Sequence, residues 1–170
     1  IDQGHEVHVA YQTSGNIAVS DEDALRFLEV FETTFQGEKN LKTLKKELLS
    51  KEVNNMASPM VRTLKGAIRR SECMGAARFL KLPLSQLHFM DLPFYETRKK
   101  KKKAPSMTDL NQTIALIEEL KPHQIYAAGD LADPHGAHRN CHEILFKALE
   151  KLKKEPYMKD CWVWLYRGAW

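Results

Sequence analysis

The chain has 170 residues, 43% hydrophobic and 28% charged, with a formal net charge of +4. That is enough for a self-sufficient core and ordinary for a globular domain, which sets aside disorder. No run of about eighteen apolar residues occurs, so no membrane-spanning helix is expected.

Three cysteines, Cys73, Cys141 and Cys161, are widely spaced and form neither a C-x-x-C pair nor a disulfide framework. Such usage fits a reducing compartment, and a cytoplasmic location is the expectation. Much of the positive excess comes from one block, Arg98 to Lys103, without which acids outnumber bases. The start, Ile1-Asp2-Gln3-Gly4-His5, has no initiator Met and no signal-peptide pattern, and reads as a fragment of a longer polypeptide.

Val7, Val9 and Tyr11 alternate into the turn Thr13-Ser14-Gly15-Asn16, which predicts a strand and its turn. Ser20 with Asp23 three residues on marks a helix start, and Leu25, Leu28 and Phe31 carry that helix to Gln36-Gly37. Leu41, Leu44 and Leu48 mark a second helix. Pro59 suits the first turn of a third, carried by Val61, Leu64, Ile68 and Ala76 and stopped near Pro83.

Gln86 to Met90 reads as a second strand, followed by a loop with Asp91, Pro93-Phe94-Tyr95 and the lysine block. Thr108 can cap the next helix, whose stripe is Leu110, Ile114, Ile117 and Leu120, ended by Pro122. Gln124 to Gly129 is a third strand, apolar enough for burial on both faces. A helix through Ile144, Leu145 and Leu149 and a last strand, Cys161 to Tyr166, complete the pattern. Strands alternating with helices predict an α/β domain over residues 1–170, a Rossmann-like parallel sheet with helices on both faces.

Open parallel sheets bind ligands beyond the carboxyl ends of their strands. Four polar clusters follow the four strands: Thr13 to Asn16, Asp91, Asp130 to His138, and Arg167. They are expected on one rim. His135 and His138 are three apart and His138 and His142 four apart, so their imidazoles can share one side of a helix start. Imidazoles and carboxylates are zinc donors, but a catalytic zinc needs three protein ligands and a water. An isolated H-x-x-H is as compatible with surface or capping histidines, and His142 reads as an ordinary helix residue.

Gly129-Asp130, then Asp133-Pro134-His135-Gly136-Ala137-His138-Arg139 opening a helix, resembles the later motif of the LmbE-like, or PIG-L, de-N-acetylases. Gly4 to Val9 running into Thr13-Ser14-Gly15 is similar to that family's second strand and turn. Arg69-Arg70-Ser71-Glu72 with Ala76-Ala77 is similar to its helix, and Leu87 to Pro93 to its next strand. The chain also resembles the C-terminal domain of glucosamine-6-phosphate deaminase-like proteins, in which such a domain is fused behind a sugar-phosphate deaminase.

The resemblance implies a zinc-dependent hydrolase that removes an N-acetyl group from an N-acetylglucosamine-type sugar. It implies His138 as a zinc ligand and His135 as the group that stabilises or protonates the tetrahedral intermediate. Asp133 then orients a histidine, or equally caps the helix. Ser14, Gly15 and Asp91 are the substrate-binding candidates. Zinc in such a site polarises the amide carbonyl and lowers the pKa of water.

Two departures stand out. The family's His-Pro-Asp-Asp motif, which supplies two ligands and the general base, does not occur here, and Ala137 stands where an Asp is common. The sheet is therefore expected to lack its first strand, the fragment alone to be inactive, and a homodimer through the exposed strand neighbour becomes an expectation.

Two further readings stand beside the hydrolase: a non-catalytic accessory domain of a fused deaminase, and a basic nucleic-acid-binding module. The second rests only on Lys99 to Lys103, which has no interleaved aromatic platform and reads first as a solvated loop. Arg69, Arg70 and Glu72 suggest an ion pair that pins a helix to the sheet. Trp162 and Trp164 suggest core or partner contacts.

Overall fold

The computed structural model of the chain describes residues 3–34, 39–50, 57–96, 104–130 and 132–167. The lysine block and the expected helix stop at Gln36-Gly37 lie outside these residues. The described residues form an α/β protein with short parallel sheets, grouped in two compact units, residues 1–89 and 90–170.

In the first unit, β1 (Val9–Tyr11) pairs in parallel with β2 (Leu87–Phe89), with Ala10 opposite His88. Between them run α1 (Asp21–Thr34), α2 (Lys39–Ser50) and α3 (Pro59–Phe79). Ser20 starts α1 as its spacing implies: its Oγ accepts from the Asp23 amide at 2.9 Å. Pro59 occupies the first turn of α3 behind Ser58, whose side chain accepts from the Val61 amide.

The three helices close over Leu28, Leu44, Leu48, Val61 and Ile68. The sheet packs Val9, Tyr11 and Phe89 with Met74 and Ala77 of α3. Lys65 is buried, and its ammonium donates to the Val19 carbonyl and to Asp21 Oδ1, both at 2.7 Å. It thus fastens α3 to the segment that follows the β1 turn.

In the second unit, β3 (Gln124–Ala128) pairs in parallel with β4 (Trp162–Tyr166), Gln124 opposite Trp162 and Ala128 opposite Tyr166. Helices α4 (Met107–Leu120) and α5 (Gly136–Leu152) share a core of Leu110, Ile117, Ala148 and Leu152. Thr108 is not the cap of α4. Ser106 is, in a reciprocal capping box with Asp109, whose other oxygen accepts from the Phe94 amide at 2.8 Å. The fully buried Asp109 so ties the Pro93-Phe94-Tyr95 turn to α4.

Burial of β3 on both faces is also overturned: only Ala127 of the strand is buried. Its apolar run is the small, β-prone type that a buried strand uses, but Tyr126 is 67% exposed. All five residues of β4 are exposed, so Trp162 and Trp164 are not core residues. No helix among the described residues is long and apolar enough to cross a membrane.

Candidate functional site

The loop from β3 into α5 is built around one carboxylate. Asp133, 5% exposed, accepts from the His135 amide at 2.8 Å and from the His135 Nδ1 at 3.0 Å on Oδ1. Its Oδ2 accepts from His138 Nδ1 at 2.6 Å. The i to i+2 bond is an Asx turn, which aspartate before proline favours. The Asp133 carbonyl accepts from Arg139 Nη1 at 3.0 Å, and its amide donates to the Asp130 carbonyl at 3.2 Å.

His135 is the N-cap residue of α5 and makes no side-chain cap bond. Asp133 bonds both imidazoles instead.

Burial pushes the Asp133 carboxyl up, but the His135 amide, the two imidazole hydrogen bonds and the His138 charge outweigh it and hold the group at about 2. It is ionised at any physiological pH. With each Nδ1 hydrogen on Asp133, each ring keeps Nε2 for other partners, and both side chains are more than half exposed. Ligand-capable atoms of Asp133, His135 and His138 all lie within 4.8 Å of one another.

Asp130 and Arg167, each expected at a strand end, meet here: Arg167 Nε donates to Asp130 Oδ2 at 3.1 Å. Asp130 Oδ1 also accepts from the Ala132 amide at 2.9 Å. These bonds brace the histidine loop against the ends of β3 and β4. His142 stacks on Phe146, ring centroids 4.4 Å apart, and stands outside the cluster. Cys141 is no nucleophile: burial, then the Asp109 charge, pushes its thiol up to about 12.

Ala137 packs against the buried cluster of Leu92, Phe94, Tyr95 and Ile144. The carboxylate that bonds the two histidines comes from Asp133, on the loop side.

Asp91 holds a left-handed backbone, φ 46°, ahead of the buried Leu92. Aspartate tolerates this region, and strained positions gather at functional turns. Ser14 and Gly15 belong to the other unit. Ser14 Oγ accepts from the Asn16 amide at 3.4 Å, and Asn16 is buried. Gly15 has φ 65°, and a Cβ there would stand 3.3 Å from Arg69, so this turn takes only glycine without strain.

The expected pinning ion pair is corrected as well. Arg69 pairs with Glu72 on α3 itself, and it is Arg70 that reaches the sheet, over the Phe89 ring at 4.8 Å. A cavity of about 410 Å³ in the first unit is lined by Glu32, Lys42, Lys45, Lys46 and Leu49. Lys45 is already matched by Glu32 at 2.8 Å and Glu29 at 3.8 Å.

Sequence reasoning found both histidines and Asp133 but missed Arg139 as the clamp on the Asp133 carbonyl. The signal was present: an arginine one residue past the motif, in the first turn of α5.

The sequence pattern of the PIG-L family, described as GlcNAc-PI de-N-acetylase, matches residues 1–149. The chain belongs to that family. It is also 45% identical, over 181 aligned positions and its whole length, to a glucosamine-6-phosphate deaminase-like protein of Bacteroides thetaiotaomicron. The chain spans 27% of that relative's length. No solved structure matches it. Family membership accounts for the α/β architecture and points to de-N-acetylase chemistry. Zinc is common in the family, and the Asp133-His135-His138 group is one that could bind a metal.

Proposed function

We propose that this chain is the part of a de-N-acetylase that carries its later histidine motif, acting on an amino sugar of the N-acetylglucosamine type. The observation that supports this best is the shared, buried Asp133. A carboxylate behind each ligating or acid histidine is the arrangement that fixes tautomer and ring direction in hydrolytic metal sites. Nothing in a merely capped helix start calls for it.

The site offers zinc chemistry an exposed imidazole nitrogen with a carboxylate hydrogen-bonded behind it, the support that ligating histidines take. His138 would hold the ion through Nε2, and the ion would supply carbonyl polarisation and a nucleophilic water. Asp133 is a positioning residue here rather than a ligand, since its two oxygens already accept three hydrogen bonds.

Hydrolysis adds water oxygen to the acetyl carbon and breaks its bond to the sugar nitrogen, which must leave with a proton. His135 Nε2 is the nitrogen suited to stabilise the tetrahedral intermediate and deliver that proton. The remaining ligands and the base belong outside these residues, in keeping with a chain that spans 27% of its relative. Fusion to a sugar-phosphate deaminase domain, in the cytoplasm, is the setting we propose.

The test uses the full-length protein and its His138→Ala variant, measuring zinc content and acetate release from N-acetylglucosamine and its 6-phosphate. Stoichiometric zinc and activity, both lost in the variant, are expected. A full-length protein without zinc or activity would overturn the reading in favour of an accessory domain.

A further inference from the structure

The first turn of α5 holds no acid, and Arg139 puts a cation there, at the positive end of the helix. Aligned peptide dipoles disfavour that charge at that place. A residue that breaks a local rule is expected to serve another task.

Asp133 shows the task. Its carboxylate oxygens take the two imidazole hydrogens, its amide donates to the Asp130 carbonyl, and its own carbonyl accepts from Arg139 Nη1 at 3.0 Å. The arginine bonds the main chain and not the carboxylate, so it holds a position rather than pairing a charge. Pro134 keeps Asp133 out of the helix. Among the described residues, the other main-chain hydrogen bond of Asp133 is the 3.2 Å bond to Asp130.

His138 and Arg139 are neighbours on one helical turn. From that turn two bonds reach Asp133, one to Oδ2 at 2.6 Å and one to the carbonyl. A residue held at one point can swing about that bond; held at two it cannot. His8 and His88 in the first unit are the contrast: they bond ring to ring at 2.9 Å, with Glu6 Oε1 3.1 Å from His8 Nε2, and no third residue stands between them.

We propose that Arg139 is a positioning residue of the deacetylation site, whose hold on the Asp133 carbonyl keeps the shared carboxylate in line with both imidazoles. Its chemistry rests on the de-N-acetylase reading above, its geometry on the hydrogen bonds alone. Losing the support behind ligating or acid histidines costs about 10–100-fold. Lysine is no substitute, since its Nζ ends one bond short of Nη1 and lacks the planar fork.

The test compares the full-length protein with Arg139→Met and Arg139→Lys, both at an exposed side chain. Acetate release gives kcat and KM, and proton resonances of 15N-labelled histidines report the two Nδ1 hydrogens bonded to Asp133. Circular dichroism checks folding. Wild type should show both resonances in slow exchange with water. Arg139→Met should lose or broaden them and lower kcat at least about tenfold, with KM within about twofold. Arg139→Lys should behave the same way, and it decides alone if Arg139→Met fails to fold. Unchanged resonances in the variants overturn the proposal, even where kcat falls, because Arg139 would then act otherwise than through Asp133. Full recovery by lysine overturns it too, leaving the charge as the agent. An inactive wild type would remove the reading of function, and the resonances would still judge the hold on Asp133.

Discussion

His135 and His138 meet through a third residue, whereas His8 and His88 meet each other. In the first pair a buried anion takes both Nδ1 hydrogens, so the rings are turned the same way and keep equivalent nitrogens for outside partners. In the second, one ring donates to the other and the carboxylate is at the rim, with Glu6 76% exposed. Imidazoles placed close together are therefore not one kind of site. What the neighbouring carboxylate does, and how deep it lies, decides whether both rings keep Nε2 for outside partners or one ring turns its nitrogen to the other.

The comparison can be broken most severely at Asp133. Asp133→Asn keeps the shape but cannot accept from both rings and the amide as an anion, so zinc affinity and deacetylation in the full-length protein should fall about 10–100-fold. Titration with a zinc-buffered indicator beside acetate release checks it. A variant that behaves as wild type would reduce the bridge to an ornament of the loop.

Next comes Ala137→Asp, which moves the acid to the position common in the family. Ala137 packs on Leu92, Phe94, Tyr95 and Ile144, so the change should cost about 2 kcal/mol of stability, read from urea midpoints.

Acid offers a milder contrast. A carboxyl held low in the fold adds stability above its unfolded value of about 3.9, and that stability fades as pH falls towards the folded value. For Asp133 the folded value is about 2. Wild type should thus lose stability between about pH 4 and pH 2 more steeply than Asp133→Asn. Parallel profiles would show that the carboxylate is not held as the geometry implies. The smallest effect belongs to His142→Ala, whose ring stacks on Phe146: zinc affinity and activity should stay within about twofold.

Local patterns made much of this legible beforehand. The Ser20-Asp23 start of α1, Pro59 in α3 and the histidine loop before α5 follow from spacing, because caps and turns are settled within a few residues. The cap of α4 was misplaced by two residues, since Thr108 and Ser106 are equally good caps until Asp109 selects the latter. Other features lay beyond reach for a different reason. His8 and His88 are eighty residues apart in sequence, and Lys65 meets Val19 across forty-six. Such encounters depend on how strands and helices come together, which single-chain periodicity does not encode. Exposure of β4 was hidden likewise: an alternation of aromatic and aliphatic residues reads the same whether its faces are covered or open.

That open strand has an optical consequence. Trp162 and Trp164 stand 66% and 50% exposed with their rings 6.4 Å apart, and Tyr126 stacks beside Trp164 at the same distance. The indole emission of these residues comes from the rim of the protein, accessible to iodide and sensitive to whatever settles on β4. It would report poorly on the melting of the helical cores and well on the arrival of a covering surface.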